Sequence, residues 1–270
     1  MKTKIANSSL DIRYIDTLSY GESALHRIDP RAKLITTLLF IVAVLSFNKY
    51  SVSALIPFIV YPVALASSSG LPMRYIIKRV IIVSPFALLV GIFNPLIDRG
   101  ALFYIGSVGV SGGWVSFASI MLRFALTVSA ALVLIMSTGF NAVSEALASF
   151  GVPRPFIVQL VFFYRYIFTL TEEGERMVRA RSLRAFGSRL DIKTFASLAG
   201  NLLLRTLDRA ERIYRAMCSR GFDGHIRYLR EMTIGSREVI FVIGWTLIFT
   251  LFRFCNISLL VGNLVTGHLR

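Results

Sequence analysis

The amino-acid sequence predicts an all-α integral membrane protein with about five transmembrane helices and, between the fourth and fifth, a cytoplasmic module of long amphipathic helices. Three observations carry that prediction. Hydrophobic residues make up 55% of the 270, and the mean hydropathy is +0.66, well above the apolar share of water-soluble domains. Apolar runs near bilayer length recur along the chain. Lysine and arginine fall in alternately dense and sparse segments between those runs.

A helix rising about 1.5 Å per residue needs roughly 20 mostly apolar residues to cross about 30 Å of hydrocarbon. The first run, 34–47, and the second, 51–69, are separated by Asn48, Lys49 and Tyr50 and read as a tight helical hairpin. The third, 80–97, contains Pro85 and ends at Asn94-Pro95; the fourth extends from about Val115 to Phe140; the fifth covers 239–261. Pro57, Pro62, Pro85 and Gly91 interrupt these runs, as neighbouring helices permit in a membrane. The sustained apolar character starts only at Leu34, behind polar and mixed sequence, so no cleaved signal peptide is expected.

Basic residues orient the chain, because cytoplasmic loops carry the excess. Residues 1–33 hold six, 48–50 one, 70–79 three, 98–114 one, 141–238 sixteen, and the tail after 261 one. That alternation predicts a cytoplasmic N-terminus, a cytoplasmic 141–238 block and an external C-terminus. Within the block, 156–170 is apolar but short and contains Gln159 and Arg165. It reads as a helix leaving the membrane obliquely and continuing through 171–187, where Glu172 with Arg176 and Glu175 with Arg179 stand at i,i+4 spacing. The next helix is expected near Asp191, with Ile192, Phe195, Ala199, Leu202, Ala210, Ile213 and Met217 recurring on one face. Arg205, Arg209 and Arg212 share another, and Arg205 and Arg209 read as a solvated surface.

Several function classes are disfavoured. Thirty Lys and Arg against fifteen Asp and Glu give +15, a surplus that suits nucleic acid, anionic lipid or acidic proteins; the apolar blocks argue against nucleic acid. Cys218 and Cys255 offer no disulfide framework. His26, His225 and His268 are scattered, and neither cysteine has a close His or Cys, so no metal-ligand set is apparent. His26 reads as an interfacial or capping residue. The segment 103–114 is glycine-containing but lacks a phosphate-loop signature, as does the remainder. The five runs contain no Asp or Glu, which leaves a membrane-embedded enzyme without its carboxylates. Arg123 and Arg253 lie inside the fourth and fifth runs, open to a functional reading or to snorkelling toward an interface. A membrane-anchored basic binding protein remains an alternative, whose binding would weaken with salt without depending on single arginines.

Two stretches stand out: VRARSLRAFG (178–187) and AMCSRGFDG (216–224). Each ends a charged amphipathic run with an arginine near a glycine, Arg181 ahead of Gly187 and Arg220 directly before Gly221. Helix capping accounts for such an arrangement, since glycine follows many last turns and a cation suits the helix C-terminus. A docking reading accounts for it as well: the small residues Ala180, Ser182, Ser219 and Gly221 allow close backbone approach, and each guanidinium can grip a partner's carboxylate in a bidentate pair that lysine cannot reproduce.

The paired tips, A-R-S at 180–182 and S-R-G at 219–221, resemble the two Ala-Arg-Gly coupling motifs of the transmembrane T component of energy-coupling factor (ECF) transporters. Each copy departs at one position and keeps its arginine. The resemblance extends through SALHRIDPRAKL (23–34), PFALLVGIFNPLIDR (85–99), FGVP (150–153), YRYIFTLTEEGERMVRARSLRAFG (164–187) and LLLRTLDRAERIYRAMCSRGFDG (202–224). The NPLIDR and LDRAERIYRAM segments are similar to the CbiQ subgroup, dedicated to cobalt or nickel. The resemblance implies a noncatalytic scaffold of an ABC-type transporter in a bacterial or archaeal inner membrane. Residues 1–140 would hold the N-terminal segment and four spans, 141–238 the cytoplasmic coupling helices, and 239–270 the last span. It implies docking of ABC-type ATPase subunits at Ala180, Arg181, Ser182, Ser219, Arg220 and Gly221, and a lateral surface for a membrane S component that binds the metal ion, so that this chain needs neither cofactor nor metal of its own. A vitamin transporter of the same type is the alternative within the family.

Overall fold

The computed structural model describes residues 16–19, 21, 23, 25–97, 101–105, 108–184, 191–224 and 235–254. The chain divides into two compact units: Leu18–Gly139 with Met232–Arg270, and Met1–Thr17 with Phe140–Glu231.

The first unit is a helix bundle. Helix α1 (Pro30–Leu45) starts where Asp29 accepts a hydrogen bond from the Arg31 backbone N–H at 2.8 Å and Pro30 occupies the first turn, a start that spends one orphan donor on the cap and needs none at the proline. After the turn at 46–51 come α2 (Val52–Leu55), a 3₁₀ segment (Ile56–Ile59) and α3 (Val60–Ser68). Pro57 stands inside the 3₁₀ stretch and Pro62 just beyond it; each removes a backbone donor, and the tighter winding absorbs the loss. Helix α4 (Met73–Gly91) carries Pro85 in its interior and is followed by α5 (Phe93–Ile97). The strands β1 (Ala101–Ile105) and β2 (Val108–Ser111) pair antiparallel, and α6 (Gly112–Thr138) follows directly. The last described element is α10 (Ser236–Phe254).

The all-α class holds, with the single hairpin as its departure among the described residues. The glycine-containing segment 103–114 contributes to that hairpin and to the start of α6. The third apolar run, expected from residue 80, belongs to a helix that begins at Met73, so Arg74, Lys78 and Arg79 ride on its first two turns. Met73–Pro95 and Gly112–Thr138 are long and apolar enough to cross a membrane, with mean hydropathies of 2.2 and 2.1. Their outward faces stay apolar: Phe86 is 72% and Leu89 63% exposed, an arrangement that water penalises and hydrocarbon accepts.

An aromatic cluster closes the middle of the bundle. Phe40 of α1 stacks on Tyr61 of α3 at 4.5 Å between centroids and meets Phe249 of α10 at 5.4 Å, while Trp245 contacts Tyr61 edge-on at 4.9 Å. Tyr61 places its hydroxyl 2.9 Å from Thr37 Oγ1, giving the buried phenol a partner. Gly91 brings α4 against α6: a Cβ there would lie 2.9 Å from the Phe117 ring. In lipid such close packing, rather than water exclusion, holds helices together. Directions follow from the pairs: Phe40 with Phe249 and Ser46 with Arg253 make α1 and α10 parallel, whereas Lys33 with Ser137 and Asn48 with Arg123 make α6 antiparallel to α1.

Candidate functional site

The second unit contains α7 (Phe140–Ser149), α8 (Arg154–Arg184) and α9 (Ile192–Ser219). The ring of Tyr164 stacks on Phe140 at 4.4 Å, tying α8 to α7, and its hydroxyl donates to Asp16 at 3.0 Å. The short apolar stretch 156–170 and the charged stretch after it form one uninterrupted helix of 31 residues. Asp191 starts α9, its side chain accepting from the Ile192 N–H at 2.8 Å.

Helices α8 and α9 cross where Gly174 meets Leu202: a methyl added at Gly174 would lie 3.7 Å from Leu202 Cδ2. Away from that point they splay, leaving an apolar groove of about 810 Å³. Phe163, Ile167, Leu170, Gly174 and Val178 line it from α8, and Phe195, Ala199, Leu202, Ala210, Ile213 and Met217 from α9. The apolar face read from spacing in α9 is therefore the groove wall, except that Ile192 is 85% exposed.

The charges arrange themselves differently from the expected i,i+4 ladder. Glu173 is the hub: Arg205 and Arg209 of α9 reach it at 3.5 and 3.9 Å, and Arg176 at 3.9 Å. Glu173 lies one residue from the crossing glycine and is only 21% exposed at its side chain, so it meets the arginines that α9 carries past it. Arg205 and Arg209 are thus interhelical partners rather than a purely solvated surface. Glu175, expected to pair with Arg179, lines the groove instead, with Oε1 buried and without a hydrogen-bond partner. Nothing local announces Glu173, because its partners are about thirty residues away.

All six tip residues are described. Helix α9 ends in a double backbone clasp: the Phe222 N–H donates to Met217 O and the Gly221 N–H to Cys218 O, each at 3.0 Å, with Gly221 at φ +77°. This Schellman arrangement demands a left-handed residue at its turn, which glycine supplies without steric cost. Arg220 sits at the C-cap and is exposed. Ser219 turns its hydroxyl back to Arg215 O at 2.9 Å and Ser182 turns its own to Arg179 O at 2.8 Å, so neither side chain projects a free donor. In α8, Arg181 lies in the last turn and is half-buried, between exposed Ala180 and half-buried Ser182. Gly187 lies outside the described residues, as do His225, Cys255 and His268.

The two arginines hold equivalent places. Arg181 stands three residues past Val178 and seven past Gly174, and Arg220 three past Met217 and seven past Ile213. Each extends its helix's groove-lining stripe by one turn. Among the described residues neither is paired with a carboxylate, in contrast to Arg205, Arg209 and Arg215. Measured along the helices from the crossing, Arg181 lies about 10 Å and Arg220 about 27 Å away. The site therefore presents two unpaired guanidiniums at separate ends of one crossed pair. Among the described residues no group of three or more His, Cys, Asp or Glu could hold a metal ion.

Comparison with known proteins follows the same segments. The family model CbiQ, described as cobalt transport protein, matches residues 21–231. An energy-coupling factor transporter transmembrane protein EcfT of Brevibacillus brevis is 28% identical over 258 residues, covering 83% of this chain and 94% of the relative. The EcfT of Bacillus subtilis is 28% identical over 76% of this chain and 82% of its own. An uncharacterized protein of Methanocaldococcus jannaschii is 29% identical over 90% of this chain and 89% of its own length.

Proposed function

Since the chain belongs to the CbiQ family of cobalt transport proteins, we propose that it is the membrane T component of an energy-coupling factor transporter, carrying ATPase movement to an S component that binds cobalt or nickel ions. In this reading residues 141–238 are the cytoplasmic coupling module, Arg181 and Arg220 each dock in a groove of one ATPase subunit, and the bundle of the first unit anchors the assembly in the cell membrane. The N-terminus is cytoplasmic. The chain performs no catalysis; ATP hydrolysis belongs to the partners, and the ion belongs to the S component.

One observation carries the docking assignment. Arg181 and Arg220 extend the two stripes of the groove and, among the described residues, have no acidic partner, whereas Arg205 and Arg209 on the same crossed pair have one. A guanidinium left without a carboxylate at a helix end, among small residues, is prepared for a bidentate contact with another chain. When two ATPase subunits approach or separate, tips fixed to one rigid pair are driven to tilt it.

The test replaces shape while keeping charge. Arg181→Lys and Arg220→Lys are expected to reduce ATPase copurification and metal uptake about tenfold or more, given 1.5–3 kcal/mol for a charged hydrogen bond, and the double variant more than either. Arg205→Lys, which breaks only a surface pair worth about 1 kcal/mol or less, serves as the control. Equal losses at all three sites would remove the special role of the tips. The EcfT relatives' names specify no ion, which favours as a second reading a T component serving a vitamin-binding S component; uptake of labelled cobalt, nickel and vitamins with the S component encoded alongside separates the two.

A further inference from the structure

We propose that the two arginine-tipped ends are unequal docks: the end of α8 carries an additional contact surface, made by Arg179, Leu183 and Arg184, for an acidic groove with an apolar pocket on an ATPase subunit, and the end of α9 has no counterpart. The inference rests on the reading of Arg181 and Arg220 as docking residues. The contrast emerges when each neighbour is placed by its distance from the tip arginine. Two residues past Arg181, Leu183 is 75% exposed; two past Arg220, Phe222 lines the groove, drawn back by the bond from its N–H to Met217 O. Three past Arg181 comes the exposed Arg184, and three past Arg220 comes Asp223, of opposite charge. Two residues before the tip stand Arg179 in α8 and Cys218 in α9, both exposed.

The charges are spent differently as well. Among the described residues Arg179, Arg181 and Arg184 pair with no carboxylate, whereas Arg215, on the approach to the other tip, gives its guanidinium to Glu211 at 2.5 Å. The last two turns of α8 add no acid to their arginines, while the end of α9 brings Glu211 and Asp223. The helix dipole favours cations such as Arg181 and Arg184 in a last turn. It does not explain why α9 ends without any basic residue in its own last turn, nor why a leucine is left uncovered among the arginines of α8.

Helical spacing sets the shape of the surface. Arg179 and Leu183 are four residues apart and share one face of α8, while Arg181 continues the groove-lining stripe on another and Arg184 follows Leu183 directly. An apolar side chain ringed by unpaired guanidiniums has the make-up of an interface patch, with an apolar centre and a polar rim. The partner that fits it offers a pocket for the leucine and carboxylates at the pocket's edge, each able to take a guanidinium fork. Burial of Leu183 adds affinity that salt does not screen; Arg179 and Arg184 add affinity that salt does screen. The end of α8 is therefore the firmer of the two holds.

The test coexpresses the full chain with the ATPase subunits encoded alongside it and measures the ATPase retained on the purified chain at low and high sodium chloride. Leu183→Ala is expected to lower retention about fivefold at both salt concentrations. Arg184→Gln is expected to lower it about threefold at low salt, with the difference from the intact chain vanishing at high salt. Arg212→Gln, removing the same charge from an exposed position on α9, is expected to leave retention unchanged. All three side chains are exposed, so the fold tolerates each change. Retention unchanged in Leu183→Ala and Arg184→Gln, or lowered as much in Arg212→Gln, would overturn the added surface; if those two variants instead lost copurifying phosphatidylglycerol while keeping the ATPase, the patch would belong to lipid headgroups. An intact chain that retains no ATPase at either salt concentration would remove the T-component reading itself, a result distinct from these.

Discussion

Lys33 shows how one residue of a basic segment takes on a specific job. By sequence it is one of six cations ahead of the first span, counted toward orientation; in the fold it is 4% exposed and donates from Nζ to Ser137 O at 3.1 Å. Ser137 is in the last turn of α6, where carbonyls lack helical partners and the dipole is negative. An ammonium at that place satisfies both needs, just before Gly139 ends the helix at φ +81°. Lys33→Met keeps the packing but leaves that carbonyl without its donor. Its expected cost is about 1–3 kcal/mol, read as a lower thermal midpoint in detergent; an unchanged midpoint would deny Lys33 this role. His26, seven residues earlier, is held by Leu18 O at 3.1 Å from Nε2 and Ser23 Oγ at 2.7 Å from Nδ1. Burial, with the Lys33 charge adding to it, depresses its pKa below the ordinary 6.5 against the opposing pull of the Leu18 bond. The fold therefore favours neutral imidazole. Stability is whole above pH 6.5 and declines as pH falls through the window just beneath, because the unfolded chain takes up the proton first. Midpoints measured between pH 7.5 and 5 should fall for the intact protein, and that slope should flatten in His26→Gln.

At the scale of elements, α8 and α9 were legible where a single helix carries its own information. The 3.6-residue recurrence of Phe195, Ala199, Leu202, Ala210, Ile213 and Met217 foretold the groove wall, and Asp191 and Gly221 foretold the ends of α9. What spacing could not convey is which helix passes opposite. Arg205 looks solvated until Glu173 of α8 is brought to 3.5 Å, and Arg123 and Arg253 looked alike in role until both met backbone carbonyls, which leave no trace in side-chain pattern. The pairing of β1 with β2 escapes the sequence for a related reason: a short strand is recognised by the partner it pairs with, and a glycine-containing segment between two apolar runs does not announce one. The crossing itself rests on Gly174, where a small residue lets α8 approach Leu202. Gly174→Ala adds a methyl at ordinary contact distance and should be tolerated. Gly174→Leu wedges the pair open, moves one tip relative to the other, and is expected to reduce ATPase copurification at least about tenfold while leaving membrane insertion intact, since overpacking at such a contact costs about 1–3 kcal/mol. Normal copurification in Gly174→Leu would mean that the two tips act independently of the crossing.

For the whole molecule, the distribution of charge and the packing make separable claims about orientation. Residues 141–238 carry sixteen of the thirty basic residues, and moving such a block across a bilayer is opposed by the positive-inside bias. The bundle's own geometry adds that α1 and α10 run in the same direction while α6 opposes them. If α1 leads outward, then α10 also leads outward and begins on the side where Ser236 follows the basic block. The 46–51 turn must then lie outside. The chain supplies its own probe, because Cys218 is exposed two residues before Arg220. In a Cys255→Ser background, a thiol reagent that cannot cross membranes should label Cys218 only in inverted vesicles, and a Lys49→Cys, Cys218→Ser, Cys255→Ser chain only in intact cells. Bound ATPase should shield Cys218 from the same reagent, because a guanidinium seated in a partner's groove brings its neighbours under cover. Labelling of Cys218 from outside would reverse the topology, and full reactivity with the ATPase bound would separate the arginine-tipped end of α9 from the motor.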